Sequence, residues 1–396
     1  MVCGWCSWIL TEPDKTAVEY SHQLNDRIKA AIAMAGGALD FSDFMSLALY
    51  SPGLGYYSAG QTRFGHGGDF ITAPLVSSFF AKALAGQAAV VLASLGSGDV
   101  LEFGAGNGQM AYDLLCELDR LGHCPEHYYV VDVSADLKAT QAKTLAGLPA
   151  HLRNRVEWLD RPPGAGFRGV VIANEVLDAL PVRRFEREVS GVSALGVGEE
   201  DGRLCWRKTP ADQVLIDAVA EIEADIGEPL AEGYQSEWCP SLAPWVNELG
   251  RLLDQGLILL IDYGYPRREF YHPQRGMGTL VCHYRHHAHD DPFFWPGLQD
   301  ITAFVDFTAV ARAGVNSGLE LAGFATQGNF LAGAGIGQIL EREAAGDPNR
   351  AAELAQQVKP LLFPDEMGER FKVMAFSRSL PVTLPAFSFV DHCDRL

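Results

Sequence analysis

Carboxylates and glycines recur where short apolar runs of this chain give way to polar sequence. Glu102-Phe-Gly-Ala-Gly-Asn-Gly108 closes one apolar run and opens an amphipathic one, which reads as a strand, a glycine turn and a helix start. Gly104, Gly106 and Gly108 lack a Cβ and tolerate positive φ, so with Ala105 they expose bare backbone at a helix N-terminus to a bulky ligand. The spacing is G-x-G-x-G, and Gln109 stands where the dinucleotide fingerprint, which accommodates a pyrophosphate, has its third glycine. A second run, His127 to Val131, ends in Asp132, an acid placed to accept hydrogen bonds from both ribose hydroxyls, with Ser134 just beyond. A third, Gly169 to Ala173, ends in Asn174-Glu175. In open α/β sheets ligands bind outside the carboxyl edge, so these strand ends converge on one crevice. Glu102, Gly104, Ala105, Gly106, Asp132, Ser134 and Asn174 together point to S-adenosylmethionine, with NAD as the alternative the glycine spacing disfavours.

The elements that must hold these residues alternate. Val100 to Phe103, Met110 to Leu121, Tyr128 to Val131, Ala135 to Leu145, Val156 to Trp158 and Val170 to Ala173 read as strand, helix, strand, helix, strand and strand. That order is α/β, a doubly wound and mainly parallel sheet. Leu257 to Ile261, ending in Asp262, supplies the next buried strand after a helix across Trp245 to Leu253. Val182 to Lys208 alternates and breaks at Gly191 and Gly202, which fits an antiparallel excursion. Upstream, Val18, Leu24, Ile28 and Ile32 recur at helical intervals, and Asp40-Phe-Ser-Asp43 can start a second helix. A glycine and aromatic stretch from Ser51 to Pro74 then precedes a helix from about Val76 to Ser94; its aromatics fit a cap near the cofactor. Downstream come helices over Val305 to Gly314, Gly337 to Ala345 and Ala351 to Gln357, and a closing strand from Phe371 to Phe376. The expected layout is an N-terminal helical and cap segment over 1–80, a core over 81–290 with an insertion at about 182–240, a helical accessory region over 291–365, and the closing strand over 366–385.

Composition bounds the function. A chain of 396 residues, 48% hydrophobic, can bury a large core. Its net charge of −19 opposes binding to phosphate backbones, and the densest cationic cluster, Arg183, Arg184 and Arg187, is interleaved with Glu186 and Glu188 and reads as a solvated strand or turn. No apolar stretch is read as approaching the roughly 20 residues that span a bilayer, and the N-terminus lacks a basic region followed by an apolar core, so the expected compartment is the cytoplasm. Eight scattered cysteines fit reduced thiols, and Cys3-Gly-Trp-Cys6 reads as a tail. The stretch from Cys282 to Asp291 is rich in metal-ligand types, and His283 and His287 have i, i+4 spacing. Because the preceding residues look like a strand entering a loop, that spacing does not bring the two imidazoles together; a polar loop at the ligand edge, with no metal, is the preferred reading.

Ala48-Leu-Tyr-Ser-Pro-Gly-Leu-Gly-Tyr-Tyr57, Gly68-Asp-Phe-Ile-Thr-Ala-Pro74, the glycine turn, Asn174-Glu-Val-Leu-Asp-Ala-Leu-Pro181, Ile261-Asp-Tyr-Gly264, Gly278-Thr-Leu280 and Asp300-Ile-Thr-Ala-Phe-Val-Asp306 occur in that order. Gln327-Gly-Asn-Phe-Leu331 and Met367-Gly-Glu-Arg-Phe-Lys372 follow. From about residue 25 to 380 the chain resembles the MidA-like S-adenosylmethionine-dependent methyltransferases, related to the mitochondrial complex I assembly methyltransferase. It departs from the family pattern at Leu75, where an acid is common, and at Ala105, where proline is frequent. The resemblance implies a Rossmann-like class I methyltransferase sheet and methyl transfer to a protein, with an arginine of a complex I-type subunit as the acceptor. A non-catalytic assembly factor is the alternative of another class.

For a guanidinium acceptor, carboxylates must orient the cation and favour departure of its proton. Glu175 and Asp178 are the candidates, expected on one face of a helical turn by their i, i+3 spacing; Asp178 could instead cap or form a turn ahead of Pro181. Asp262 and Tyr263 are read as completing the acceptor wall, with Asp262 capping a turn at Gly264 as the alternative. Asp69 and Thr72 could touch the amino-acid end of the cofactor or brace glycine turns, and Tyr56-Tyr57 reads as packing.

Overall fold

A computed structural model of the chain describes residues 12–58 and 73–396. Most of the glycine and aromatic loop, with Asp69, Thr72, Cys3 and Cys6, lies outside the described residues. The first two core strands are β1 (Asp99–Phe103) and β2 (Tyr128–Val131), followed by β3 (Val156–Leu159) and β4 (Phe167–Asn174). An inserted set follows: β5 (Arg183–Glu188), β6 (Gly191–Glu200), β7 (Arg203–Pro210) and β8 (Gln235–Trp238). Next come β9 (Leu253–Tyr265), β10 (Val281–Tyr284), β11 (His287–His289), β12 (Asp300–Thr302) and β13 (Val305–Asp306), and finally β14 (Glu320–Thr326) and β15 (Phe371–Arg378).

The main sheet runs β14-β15-β9-β4-β1-β2-β3, with β13 pairing alongside β9. From β9 to β3 all pairs are parallel; β15 lies antiparallel to both β9 and β14. The chain winds outward from β1 to β3 and then returns to β4 on the other side of β1. That reversal opens a crevice beyond the carboxyl ends of β1 and β4, where α/β sheets take ligands. Both faces of the sheet are covered, so its central strands read as continuous apolar runs. Val100, Val170, Ile172, Leu257 and Leu259 pack on one side with the helices Ser78–Leu95 and Gln109–Leu121. Leu101, Phe103, Val171, Ile258 and Leu260 pack on the other with the helices Leu242–Leu252 and Phe307–Asn316.

Outside this core stands an accessory lobe. The helices Lys15–Met34 and Phe41–Tyr50 start where Asp14 and Asp40 accept hydrogen bonds from first-turn amides. Leu24, Ile28, Phe41 and Phe44 share a core with Val197 of β6, Cys282 of β10 and Ile301 of β12, so the N-terminal helices and both small sheets form one body. The four-stranded sheet runs β7-β6-β5-β8 and the three-stranded one β11-β10-β12.

Several expectations need correction. The cationic cluster is not solvated: Arg184 is buried against Glu237 at 3.0 Å, Arg187 meets Glu223 at 2.8 Å, and Arg183 meets Asp40 at 2.8 Å. The stretch 291–365 is not purely helical, since it contains β12, β13 and β14. Val305 and Asp306 are strand because they pair with Gly264 and Tyr265, and the helix starts at Phe307, capped by Asp306. Among the described residues one helix, Ser78–Leu95, is long and apolar enough to cross a membrane; here Phe80, Leu84, Ala88 and Val91 are buried in the core, where a central α/β helix has the same composition. His283 and His287 lie on a hairpin, in register with Ala288 and Tyr284, around a turn in which Arg285 and His286 have φ of 47° and 65°. Among the described residues no group of three or more His, Cys, Asp or Glu side chains could hold a metal ion.

Candidate cofactor and acceptor site

The turn after β1 sets the floor of a cavity of about 1270 Å³ at the carboxyl edge of the sheet. Gly104, Gly106 and Gly108 all take positive φ, at 64°, 53° and 85°, a region costly for other residues. A Cβ at Gly104 would stand 3.0 Å from Cγ2 of Val176, and one at Gly106 would meet no protein atom within 4 Å. Gly108 caps the helix Gln109–Leu121 and packs 3.1 Å, measured from an added Cβ, against the backbone of Gln141. The turn is thus shaped by contact with two neighbouring segments and is open only over Gly106.

Asp132, just past β2, lines the cavity with 8% of its surface exposed. Its Oδ1 accepts from the Ser134 amide at 3.0 Å and its Oδ2 from Gln141 Nε2 at 2.8 Å. Gln141 also donates to the Gly106 carbonyl at 3.1 Å and accepts from Trp158 at 3.0 Å, so one side chain joins the glycine turn, the acid and β3. Burial raises the proton affinity of Asp132 against the pull of those donors. Glu102 is fully buried, bonded on Oε2 by Tyr128 at 2.6 Å, and burial pushes its carboxyl up to about 7. Its Oε1 has no hydrogen-bond partner, and neither has Oδ1 of Asn174. Buried oxygens without partners, beside backbone that only glycine can supply, suit a ligand rich in N–H and O–H donors.

Further along the cavity the charge concentrates. Glu175 sits at the end of β4 with φ of 53°, a left-handed conformation unusual for a residue with a side chain. Glu175 and Asp178 are not on a helical turn. The segment Val176 to Asp178 is drawn into a tight loop whose three amides donate to Oδ2 of Asp262 at 3.2, 2.9 and 3.2 Å, while the Tyr263 amide donates to Oδ1 at 2.9 Å. Asp262 is fully buried and does not line the cavity; it anchors the loop that presents Asp178. Burial, then the charges of Asp178 and Glu175, raise its proton affinity, and the amide donors pull the other way.

Asp178 accepts from the Tyr263 hydroxyl on Oδ2, and its Oδ1 has no partner. Burial pushes its carboxyl up to about 6. Burial and the neighbouring Asp178 push Glu175 up to about 8, although Asn174 Nδ2 donates to it at 3.0 Å. Asp300 of β12 lines the same cavity and accepts from the Tyr57 hydroxyl at 3.0 Å. Tyr50 and Tyr57 stack at 5.6 Å beside these acids. His283 also faces the cavity, and burial holds its imidazole down at about 4, so it is neutral near pH 7.

The cavity therefore gathers Glu102, Gly104, Ala105, Gly106, Asp132, Asn174, Glu175 and Asp178, and leaves out Ser134 and Asp262. Ser134 instead caps the helix Ala135–Leu145, its Oγ accepting from the Leu137 amide at 3.2 Å, while its own amide braces Asp132. Sequence reasoning missed Asp300, Gln141 and Tyr50, and read Tyr57 as packing. The Asp300-Ile-Thr run was a signal, since an acid beside buried residues in a strand needs a partner.

A family model for S-adenosyl-L-methionine-dependent methyltransferases matches residues 83–325. This chain belongs to that family. The methyltransferase is similar to a Burkholderia thailandensis protein, described as a methyl transfer enzyme and solved with S-adenosyl-homocysteine bound, at 41% identity and a TM-score of 0.92, over 98% of this chain and 100% of that one. A native crystal structure of a Burkholderia thailandensis protein gives 41% identity and a TM-score of 0.90 over the same shares. Among curated relatives, the protein arginine methyltransferase NDUFAF7, mitochondrial, of Danio rerio is 28% identical over 87% of this chain and 84% of its own length. The NDUFAF7 homolog of Caenorhabditis elegans, also named mitochondrial, is 27% identical over 95% and 91%. S-adenosylmethionine is the cofactor of the methyltransferase, and its fold is the class I sheet that the family resemblance implied. The cytoplasmic expectation is withdrawn: it rested on finding no apolar stretch long enough to span a bilayer and no signal-like N-terminus, and the curated relatives are mitochondrial by name.

Proposed function

We propose that this methyltransferase modifies an arginine guanidinium on a protein, and that the acceptor is a subunit of respiratory complex I type. The observation that carries the reading is the pair Glu175 and Asp178, two carboxylates crowded at one end of the cofactor cavity with an oxygen of Asp178 unbonded. Beyond burial, the charge of Asp178 raises the proton affinity of Glu175, and a cation seated between them reverses the penalty. A planar guanidinium with five N–H donors matches paired carboxylates better than a compact ammonium does. The curated relatives are named protein arginine methyltransferases, which supports the arginine reading.

In this reading the amides of the glycine turn, through Gly104, Ala105 and Gly106, and the open oxygens of Glu102 and Asn174 hold the cofactor, and Asp132 takes its ribose. S-adenosylmethionine supplies a methyl group already activated by its sulfonium, so the protein's task is alignment and proton removal. Asp178, fixed by Tyr263 and by the loop on Asp262, orients the guanidinium. Glu175, in its ionised form, accepts the proton that the attacking nitrogen loses as the new C–N bond forms. Its raised proton affinity suits that role near neutral pH. Phe103, Tyr263, Phe304 and Phe371 wall the cavity and keep water from the reacting centre.

The test is transfer of tritium from methyl-labelled cofactor to a lysate of cells lacking the protein, followed by amino-acid analysis of the labelled protein. Label on methylated arginine is expected. Label on lysine or on a carboxyl ester would overturn the arginine reading.

A further inference from the structure

Paired carboxylates grip the edge of a guanidinium, and its flat faces call for a different surface. We propose that Tyr50 supplies that surface: its ring is the aromatic wall on which the acceptor guanidinium stacks, which makes it a specificity-determining residue of the acceptor site. The proposal rests on the arginine reading above.

Tyr50 ends the helix Phe41–Tyr50 and lines the cavity. Its hydroxyl reaches the acceptor loop, donating to the Ala179 carbonyl at 2.9 Å, one residue beyond Asp178. The Asp178 carbonyl accepts from the Ala303 amide at 3.0 Å, so the loop held from the core by Asp262 is also held from the lobe side. One face of the Tyr50 ring lies along Tyr57, with centroids 5.6 Å apart and planes at 26°, and Tyr56 packs at a steep angle against Tyr57 at 5.1 Å. The ring is therefore fixed at its tip and along one face, and the residue, only partly buried, lines the cavity. Burial keeps the hydroxyl protonated, and the charges of Asp178 and Asp132 both act on it, which sets Tyr50 between the acceptor loop and the acid proposed for the ribose.

An aromatic face attracts a cation through its quadrupole, and a guanidinium, planar and weakly hydrated, stacks on it better than an ammonium does. The fold holds one of its own guanidinium groups in this way: the buried Arg184 is gripped by Glu237 at 3.0 Å and lies 4.7 Å from the centre of the Trp206 ring. Glu175 and Asp178 with Tyr50 bring the same two kinds of group, carboxylate and aromatic ring, to the cavity, where the cation comes from the acceptor. A wall of this kind discriminates by charge, whereas a ring that merely packs discriminates by shape.

The experiment uses the full chain saturated with S-adenosylhomocysteine, titrated by calorimetry with Nα-acetyl-arginine methylamide and with its citrulline counterpart, which has nearly the same shape but no charge. The wild type is expected to prefer the arginine compound. Tyr50→Leu, which keeps apolar bulk and removes the ring, is expected to weaken arginine binding by about 2- to 30-fold, the range for a cation over an aromatic face, and citrulline binding by less. Tyr50→Phe, which keeps the ring, is expected to retain most of the arginine preference. If Tyr50→Leu does not fold, pentafluorophenylalanine at position 50 serves, because it keeps the ring but inverts its quadrupole; the preference is expected to fall relative to Tyr50→Phe. An arginine preference unchanged in the folded leucine or fluorinated variant, or both compounds weakened in proportion, overturns the role of Tyr50 and leaves the arginine reading standing. No preference for arginine in the wild type overturns both.

Discussion

Asp178→Asn is expected to make the acceptor-free protein more stable at pH 8 while slowing methyl transfer. The asparagine carbonyl can still accept from the Tyr263 hydroxyl, so the substitution removes charge and little else. The Asp178 carboxyl stands at about 6 in the folded chain against an ordinary value of 3.8, and burial is the main cause. Two units at about 1.4 kcal/mol each make the ionised side chain unfavourable by on the order of 3 kcal/mol. Because the folded value lies above the unfolded one, the contribution of this group to stability is fully present below about pH 4 and is lost as pH rises through about 6. Wild type and variant should therefore unfold in urea at similar concentrations near pH 4, and the variant should be the more resistant near pH 8. In the same preparation kcat/KM should fall by about 10- to 100-fold, the loss of a charged hydrogen bond to the acceptor. A variant less stable than wild type at both pH values would refute the reasoning, since it would make Asp178 a structural acid.

Other perturbations separate the two halves of the site. Glu175→Gln should keep S-adenosylhomocysteine affinity and lose turnover, as measured by calorimetry and tritium transfer. In the wild type, kcat/KM should climb with pH and level off above about 8, because Glu175 grips a cation only once ionised; a profile flat from pH 6 to 9 would count against that role. Gly104→Val should abolish cofactor binding, because φ of 64° disfavours a branched residue and its Cβ would stand 3.0 Å from Val176; unchanged affinity in a folded variant would contradict this. Asp262→Ala strips the acceptor from four backbone amides and should destabilise the chain by at least about 3 kcal/mol in urea unfolding, with Tm unchanged as the opposing result.

That the glycine turn, Asp132 and Asn174 would meet at one crevice was legible because the signals are local. Gly104, Gly106 and Gly108 are read from one turn, and β2 and the helix Ala135–Leu145 fall at the residues their patterns predict. The proposed acceptor half depends on distant packing. Asp300 is 125 residues from Glu175 in sequence, and only the pairing of β12 with β10 brings it to the cavity. The spacing of Glu175 and Asp178 suggested a helical turn, but the buried Asp262 offers three amides a better acceptor than a nascent helix could, and the chain bends around it. β14 escaped notice because Gly323 interrupts it and its register shifts between Leu321 and Gly323, leaving no clean alternation to read. Tyr57 looked like packing beside Tyr56; its ring does pack, while its hydroxyl reaches Asp300.

The most direct test is a crystal structure of the full chain with S-adenosylhomocysteine and an arginine peptide. The ribose hydroxyls are expected on Asp132, with the sulfur facing a guanidinium held by Glu175 and Asp178. A ribose bound away from Asp132, or a sulfur turned from those two carboxylates, would contradict the account.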